Sequence, residues 1–169
     1  PINFSSHIVV SAPHAHLTQI ERSLGENDVV YQRLPVSYAF HSQWIDDARA
    51  PFESFMSSIR RSRGTLPLAS CREATLLTEL PNDFFWRVVR EPIRFKDTIA
   101  GLEQRCAHRY IDVGPAGTLA TFTKYCLPPD SKSTVHAIMS PFGNERRRMA
   151  ALLRGWRYFA AADARRAMK

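Results

Sequence analysis

Tyr110-Ile111-Asp112-Val113-Gly114-Pro115-Ala116-Gly117-Thr118-Leu119 decides the fold class. Four residues of strand character stop at Gly114-Pro115, a pair that neither strand nor helix tolerates. Thr118 to Tyr125 then has helical character, and Thr134-Val135-His136-Ala137-Ile138 is again β-branched and short. A strand, a helix and a second strand in this order predict a βαβ unit, and so an α/β domain with a mostly parallel sheet.

Working outward, His7–Ala12 is a strand candidate closed by Pro13. Leu17, Ile20 and Leu24 recur at helical spacing, with Gly25 placed to end that helix. Val29 to Leu34 reads as a further strand, giving a second βαβ-like unit. Phe52, Phe55, Met56 and Ile59 share one helical face, ahead of Arg60, Arg61, Arg63 and Gly64. Leu66–Ser70 is a short strand candidate. Phe84–Val89 and Ile99–Cys106 are helix candidates separated by Glu91-Pro92. In the last segment Met149, Leu152, Leu153 and Trp156 form one apolar stripe of a basic amphipathic helix.

Composition narrows the class. Apolar residues make up 44% and charged residues 23%, which is a globular balance. No apolar run approaches the roughly 18–20 residues of a membrane-spanning helix. Cys71, Cys106 and Cys126 are odd in number and widely spaced, fitting neither a metal site nor a disulfide framework. Reduced thiols in the cytoplasm are expected. The net charge of +7 sits at one end. From Asn144 onward, eight basic residues face only Glu145 and Asp163, so the remainder is close to neutral. Aromatic residues are not interleaved with the basic ones as a nucleic-acid surface requires, which leaves packing or an acidic partner. The start, Pro1-Ile2-Asn3-Phe4, lacks an initiating Met and a signal-peptide pattern, and a piece of a longer protein is expected.

Three segments carry a resemblance to a known family. Leu34-Pro35-Val36-Ser37-Tyr38-Ala39-Phe40-His41-Ser42 resembles the V-S-x-A-F-H-S stretch of the acyltransferase family, that is, the malonyl-CoA:acyl carrier protein transacylases and the acyltransferase domains of polyketide synthases. Phe85-Trp86-Arg87-Val88-Val89-Arg90-Glu91-Pro92-Ile93-Arg94-Phe95 is similar to the family's W-x-x-x-x-R-x-P-V-x-F segment. Tyr110 to Leu119 is similar to its E-V-G-P-x-x-x-L turn. The three keep the family's order and cover about residues 5–142. Gly117–Tyr125 also resembles stand-alone, trans-acting members.

The resemblance implies an α/β-hydrolase-like large subdomain with an inserted ferredoxin-like small subdomain, of which only the C-terminal half is present. Residues 1–37 would complete the small subdomain, 38–142 the large one, and 143–169 would form the basic C-terminal helix. The implied activity is transfer of malonyl from malonyl-CoA to the phosphopantetheine thiol of an acyl carrier protein. No bound cofactor and no metal are implied. Expected partners are the carrier protein and other polyketide synthase domains, without nucleic acid or membrane.

By the same resemblance His41 is the catalytic base, its second ring nitrogen held by a main-chain carbonyl in Arg87-Val88-Val89, centred on Val88. Phe40, before the histidine, implies preference for malonyl over methylmalonyl, and Tyr38 belongs to the same substrate-binding stretch. The family's serine sits in a G-H-S-x-G elbow. No G-x-S-x-G occurs in these 169 residues. An acyl hydrolase acting on carrier-bound groups and a non-catalytic docking module are the alternative readings. His14-Ala15-His16, Asp46-Asp47, His7, His108, His136 and Asp112 are read as structural.

Overall fold

The computed structural model describes the backbone of residues 2–167 and the side chains of residues 3–156. The chain divides into two compact units, Pro1–Thr98 and Ile99–Lys169. In the first, strands β1 (Ile2–Phe4) and β2 (His7–Ile8) pair antiparallel, followed by helix α1 (His14–Glu26). A 3-10 helix (Gln43–Ala48) leads into α2 (Arg49–Ser58), the hairpin β3 (Leu68–Ser70) and β4 (Thr75–Leu77), and α3 (Phe84–Arg90). Helix α4 (Phe95–Glu103) carries the chain into the second unit. There β5 (Arg109–Asp112), α5 (Thr118–Cys126), β6 (Thr134–Ala137) and α6 (Glu145–Ala167) follow.

The deciding stretch forms the βαβ unit it predicts. β5 and β6 pair parallel, Arg109 opposite Thr134 through Asp112 opposite Ala137, with α5 as the crossover. Asp112 joins the strand to the helix. Its buried carboxylate accepts the Gly114 amide at 2.8 Å and the Ala120 amide in the first turn of α5 at 2.9 Å. That satisfies an amide the helix cannot, and puts negative charge at the positive helix end. Gly117 stands before the helix at φ +66°, and a Cβ there would come within 3.1 Å of the Ala137 Cβ. Both the backbone angle and the space require glycine.

The mostly parallel sheet is not formed. Of the three strand pairs among the described residues, β5–β6 alone is parallel. β3 and β4 are joined by four residues, a connection too short for anything but an antiparallel hairpin. The strand expected at Val29–Leu34 is also absent. Helix α1 runs past Gly25, and the Asp28 backbone turns to φ +53° so that the Val29 amide reaches the Leu24 carbonyl at 2.9 Å. Beyond that cap no strand among the described residues pairs with the segment, and Val30 is 98% exposed. β-branched sequence alone does not make a strand whose backbone has no ladder to join. For the same reason β2 covers only His7 and Ile8 of the predicted His7–Ala12.

Each unit has its own core. Ile45, Phe84 and Trp86 are buried in the first, where Phe52 of α2 lies 5.7 Å from the Trp86 ring. Ile99, Ala120, Ile138 and Leu152 are buried in the second. The apolar stripe of α6 packs only at Leu152; Met149, Leu153 and Trp156 stay exposed. The basic side chains after Trp156 lie outside the described residues. No helix among the described residues is long and apolar enough to cross a membrane.

Glu103, at the end of α4, accepts hydroxyls of Tyr110, Ser131 and Ser133 at 2.7, 2.6 and 2.7 Å. Burial works to raise this carboxyl, but the three donors outweigh it and hold it below the usual carboxylate range. A depressed folded-state value contributes stability above the unfolded value and loses it as pH falls through the folded one. Urea titrations of the wild type should therefore show stability falling through that acid range, with a shallower slope in Glu103→Gln. Asp112→Ala, which strands the buried Ala120 amide, should lower unfolding free energy by about 2–3 kcal/mol, and Asp112→Asn by less.

Candidate active site around His41

Residues 37–42 have no regular structure, yet several of their polar groups are tied. The Phe40 amide donates to the Tyr38 carbonyl at 3.0 Å, and Ser42 Oγ donates to the Ala39 carbonyl at 2.6 Å. The same Ser42 oxygen accepts the Trp44 amide at 3.3 Å, capping the 3-10 helix. Ser11 Oγ reaches the Phe40 carbonyl at 3.2 Å.

His41 itself has φ +60°, in the left-handed region that side chains other than glycine rarely occupy. The conformation is held from outside: the His41 amide donates to the Val89 carbonyl at 2.8 Å, near the end of α3. Strained backbone of this kind persists where neighbours fix it, and clusters at functional sites.

The imidazole is held as firmly. Nδ1 lies 3.0 Å from the Glu91 carbonyl oxygen. A carbonyl can only accept, so Nδ1 carries the hydrogen and, in the neutral ring, Nε2 is left with a free lone pair. Nε2 has no hydrogen-bond partner among the described residues. A main-chain carbonyl therefore orients the ring, but it belongs to Glu91 and not to Val88. The reason lies at the end of α3. Pro92 bars the preceding residue from helical geometry, so Glu91 is extended at φ −89°, ψ 155°, and its carbonyl swings out of the helix toward His41. Val88, three residues earlier, is still inside α3.

Tyr38 and Phe40 flank this histidine with ring centroids 6.2 Å apart, and are 70% and 46% exposed. They form an open apolar margin beside the half-buried His41. The sequence reading missed the ionic groups behind it. The Glu91 carboxylate receives Arg72 Nε at 2.5 Å and Arg87 Nε at 3.1 Å. Arg72 also pairs with Glu73, which accepts the Ser70 hydroxyl. Burial opposes the charge on Glu73, but those two donors hold its carboxyl below the usual range. Asp46, read as a capping or solvating group, pairs with Arg90 of α3; that bond holds its carboxyl below the usual carboxylate range. Arg72-Glu73 and the Arg87, Arg90, Glu91 cluster were the available signal, though sequence distance hid the pairing. Cys71 is no rival nucleophile, since burial pushes its thiol up against a weaker opposing bond to Thr98.

The second unit holds a separate cleft of about 970 Å3, lined by His108, Arg109, Lys132, Arg148 and Trp156 among others. It contains none of His41, Tyr38, Phe40 and Val88. Among the described residues no group of three His, Cys, Asp or Glu side chains could hold a metal ion.

No protein-family model matches the chain. The chain is 39% identical over 144 residues to the polyketide biosynthesis acyltransferase homolog BaeD of Bacillus velezensis, and 38% identical to its counterpart PksD of Bacillus subtilis. Each match covers 85% of this chain and 44% of the relative, so the chain spans less than half the length of these curated relatives. Among solved structures it superposes on the acyltransferase domain from the second module of the salinomycin polyketide synthase with TM-score 0.71 at 24% identity, over 85% of this chain and 34% of that one. It superposes on a malonyl CoA-acyl carrier protein transacylase from Clostridium perfringens with TM-score 0.68 at 18% identity, over 86% and 45%. The α/β fold of acyltransferase domains is thus shared, and the resemblance drawn from the three motifs is borne out.

Backbone and ring make separate demands at position 41. His41→Asn keeps a residue that tolerates positive φ, whereas His41→Val puts a β-branched side chain there. Thermal or urea unfolding should find His41→Val less stable than His41→Asn by about 1–2 kcal/mol.

Proposed function

We propose, from the premise that the chain is a homologue of the polyketide biosynthesis acyltransferases, that it supplies the general base of an acyl transfer from malonyl-CoA to the phosphopantetheine thiol of an acyl carrier protein. The observation that carries this is the Nδ1–H bond from His41 to the Glu91 carbonyl, which leaves the neutral ring's Nε2 unprotonated and, among the described residues, unpartnered at an open apolar margin.

The chemistry follows from that tautomer. A serine hydroxyl is a weak nucleophile until a base within reach takes its proton. His41 Nε2 accepts that proton while the serine oxygen bonds to the malonyl thioester carbonyl. The carbon–sulfur bond then breaks, and the imidazolium returns the proton to the departing coenzyme A thiolate. In the second half Nε2 takes the proton of the carrier's thiol, whose sulfur attacks the acyl-serine, and gives it to the serine oxygen. The Glu91 carbonyl keeps accepting from Nδ1 throughout and stabilises the imidazolium without taking its proton. The serine comes from outside these 169 residues, because they contain no G-x-S-x-G elbow.

In this reading residues 38–142 contribute to an α/β-hydrolase-like large subdomain, and residues 1–37 to an inserted ferredoxin-like small one. His41 then stands at the cleft between the two. Residues 143–169, which include helix α6, carry the excess of basic charge, suited to acidic carrier proteins and neighbouring synthase domains. Phe40 limits room beside the acyl group and favours malonyl. One methylene is worth only about 1–3 kcal/mol of discrimination.

Intact mass spectrometry tests the reading. The chain alone should take up no acyl group from malonyl-CoA. Combined with the part of the acyltransferase bearing the serine, it should form a malonyl adduct, and His41→Ala should slow that step by about 10²–10⁴-fold. An adduct formed equally fast without His41 would sink the proposal, and an adduct released to water faster than to a carrier thiol would favour a hydrolase. Phe40→Ser should move the malonyl-to-methylmalonyl rate ratio toward methylmalonyl by about tenfold.

A further inference from the structure

Glu91 touches two networks at once. Its carbonyl takes the His41 ring hydrogen, and its carboxylate lies between two guanidinium groups. Arg72 contacts both carboxylate oxygens, Nε at 2.5 Å and Nη2 at 3.3 Å, and Arg87 adds Nε at 3.1 Å. The three come from different places: Arg72 from the turn between β3 and β4, Arg87 from within α3, and Glu91 from the residue that ends α3. The turn is itself fixed, because the Arg94 amide donates to the Cys71 carbonyl at 2.6 Å and the Ala74 amide to the Ser70 carbonyl at 2.8 Å.

Arg72 is the covered member of the cluster. The Arg72 side chain is 13% exposed and that of Glu91 is 37% exposed. Linked bonds to charged groups in such surroundings reinforce one another, unlike an isolated surface pair. No hydrogen bond joins Arg72, Arg87 or the Glu91 carboxylate to the His41 ring among the described residues. Whatever they do to the histidine passes through the Glu91 main chain. The rotation that aims the carbonyl at Nδ1 is the Glu91 ψ, and this is the peptide that the carboxylate anchors from the other side of the same residue.

The geometry points to Glu91 as a positioning residue for His41: the Arg72–Glu91–Arg87 cluster fixes the carbonyl that selects the Nδ1–H tautomer. This rests on the reading of His41 as the base, and it adds the device that keeps that base in its working form. A plain staple between hairpin and helix would have the same ion pairs but would leave the ring's tautomer unchanged when cut.

The test reads the ring directly and needs no substrate. In protein carrying 15N-labelled histidine, the His41 imidazole signals are assigned by their loss in His41→Ala. Long-range 1H–15N spectra at a pH where the ring is neutral should show Nδ1 protonated and Nε2 bare. Glu91→Gln should raise the Nε2–H population and speed exchange of the Nδ1 hydrogen by up to about tenfold, the worth of one such bond. Arg72→Met should do the same, the double variant should add little, and Glu91→Asp should restore much of the wild-type signal. Circular dichroism selects the variants that remain folded, and any one of Glu91→Gln, Arg72→Met and the double variant suffices for comparison. Wild-type His41 signals in folded Glu91→Gln or Arg72→Met would overturn the proposal. The acylation assay separates the two claims. A tautomer shift with unchanged acyl transfer removes the base reading, while His41-dependent transfer with an unshifted ring removes the role of Glu91.

Discussion

A histidine in a left-handed backbone, with its amide and its ring hydrogen both landing on carbonyls at the end of one short helix, is the constraint on which the first unit turns. Left-handed geometry costs a β-substituted residue of the order of 1 kcal/mol or more, and the Val89 and Glu91 carbonyls offset it. They are free to do so because a helix leaves its last carbonyls unsatisfied. The Arg87 carbonyl is used within the turn that ends the helix, by the Glu91 amide at 2.9 Å. The Val89 and Glu91 carbonyls face outward. Helix α3 therefore meets His41 through the carbonyls at its end, not through a side chain.

Much of this was legible in the sequence because it depends on local rules. Glu91-Pro92 marks the end of α3, and Gly114-Pro115 with Gly117 marks the passage from β5 into α5. Such limits hold in almost any tertiary setting. His41 with Phe40 and Tyr38 was legible as a motif, and the structure gathers these three at one place. The carbonyl was misplaced at Val88 because a motif gives spacing along the chain, whereas the acceptor is chosen by where the helix stops. The mispredicted strands have a different cause. Val29–Leu34 has strand composition, but strand formation is a property of a pair, and composition does not name the partner.

Charges followed a similar division. The basic end of the chain could be counted from sequence, but the pairs that matter near His41 join residues far apart. Arg72 with Glu91 and Arg90 with Asp46 cross 19 and 44 positions. Read one residue at a time, each is an ordinary surface ion. Together they tie the β3–β4 turn and the 3-10 helix to α3, leaving the apolar margin at Tyr38 and Phe40 open to solvent.

The bond from His41 to the Glu91 carbonyl spans 50 positions. A ribosome finishes the histidine long before it makes the residue that aims it. Closing a loop of that length costs about 3.5 kcal/mol of chain entropy beyond a fixed constant. During that interval the ring is free to sample both neutral tautomers, and no local sequence choice near residue 41 can shorten the wait. The imidazole takes its fixed orientation only with the arrival of α3, so the order of translation itself leaves the ring unset until its scaffold is present.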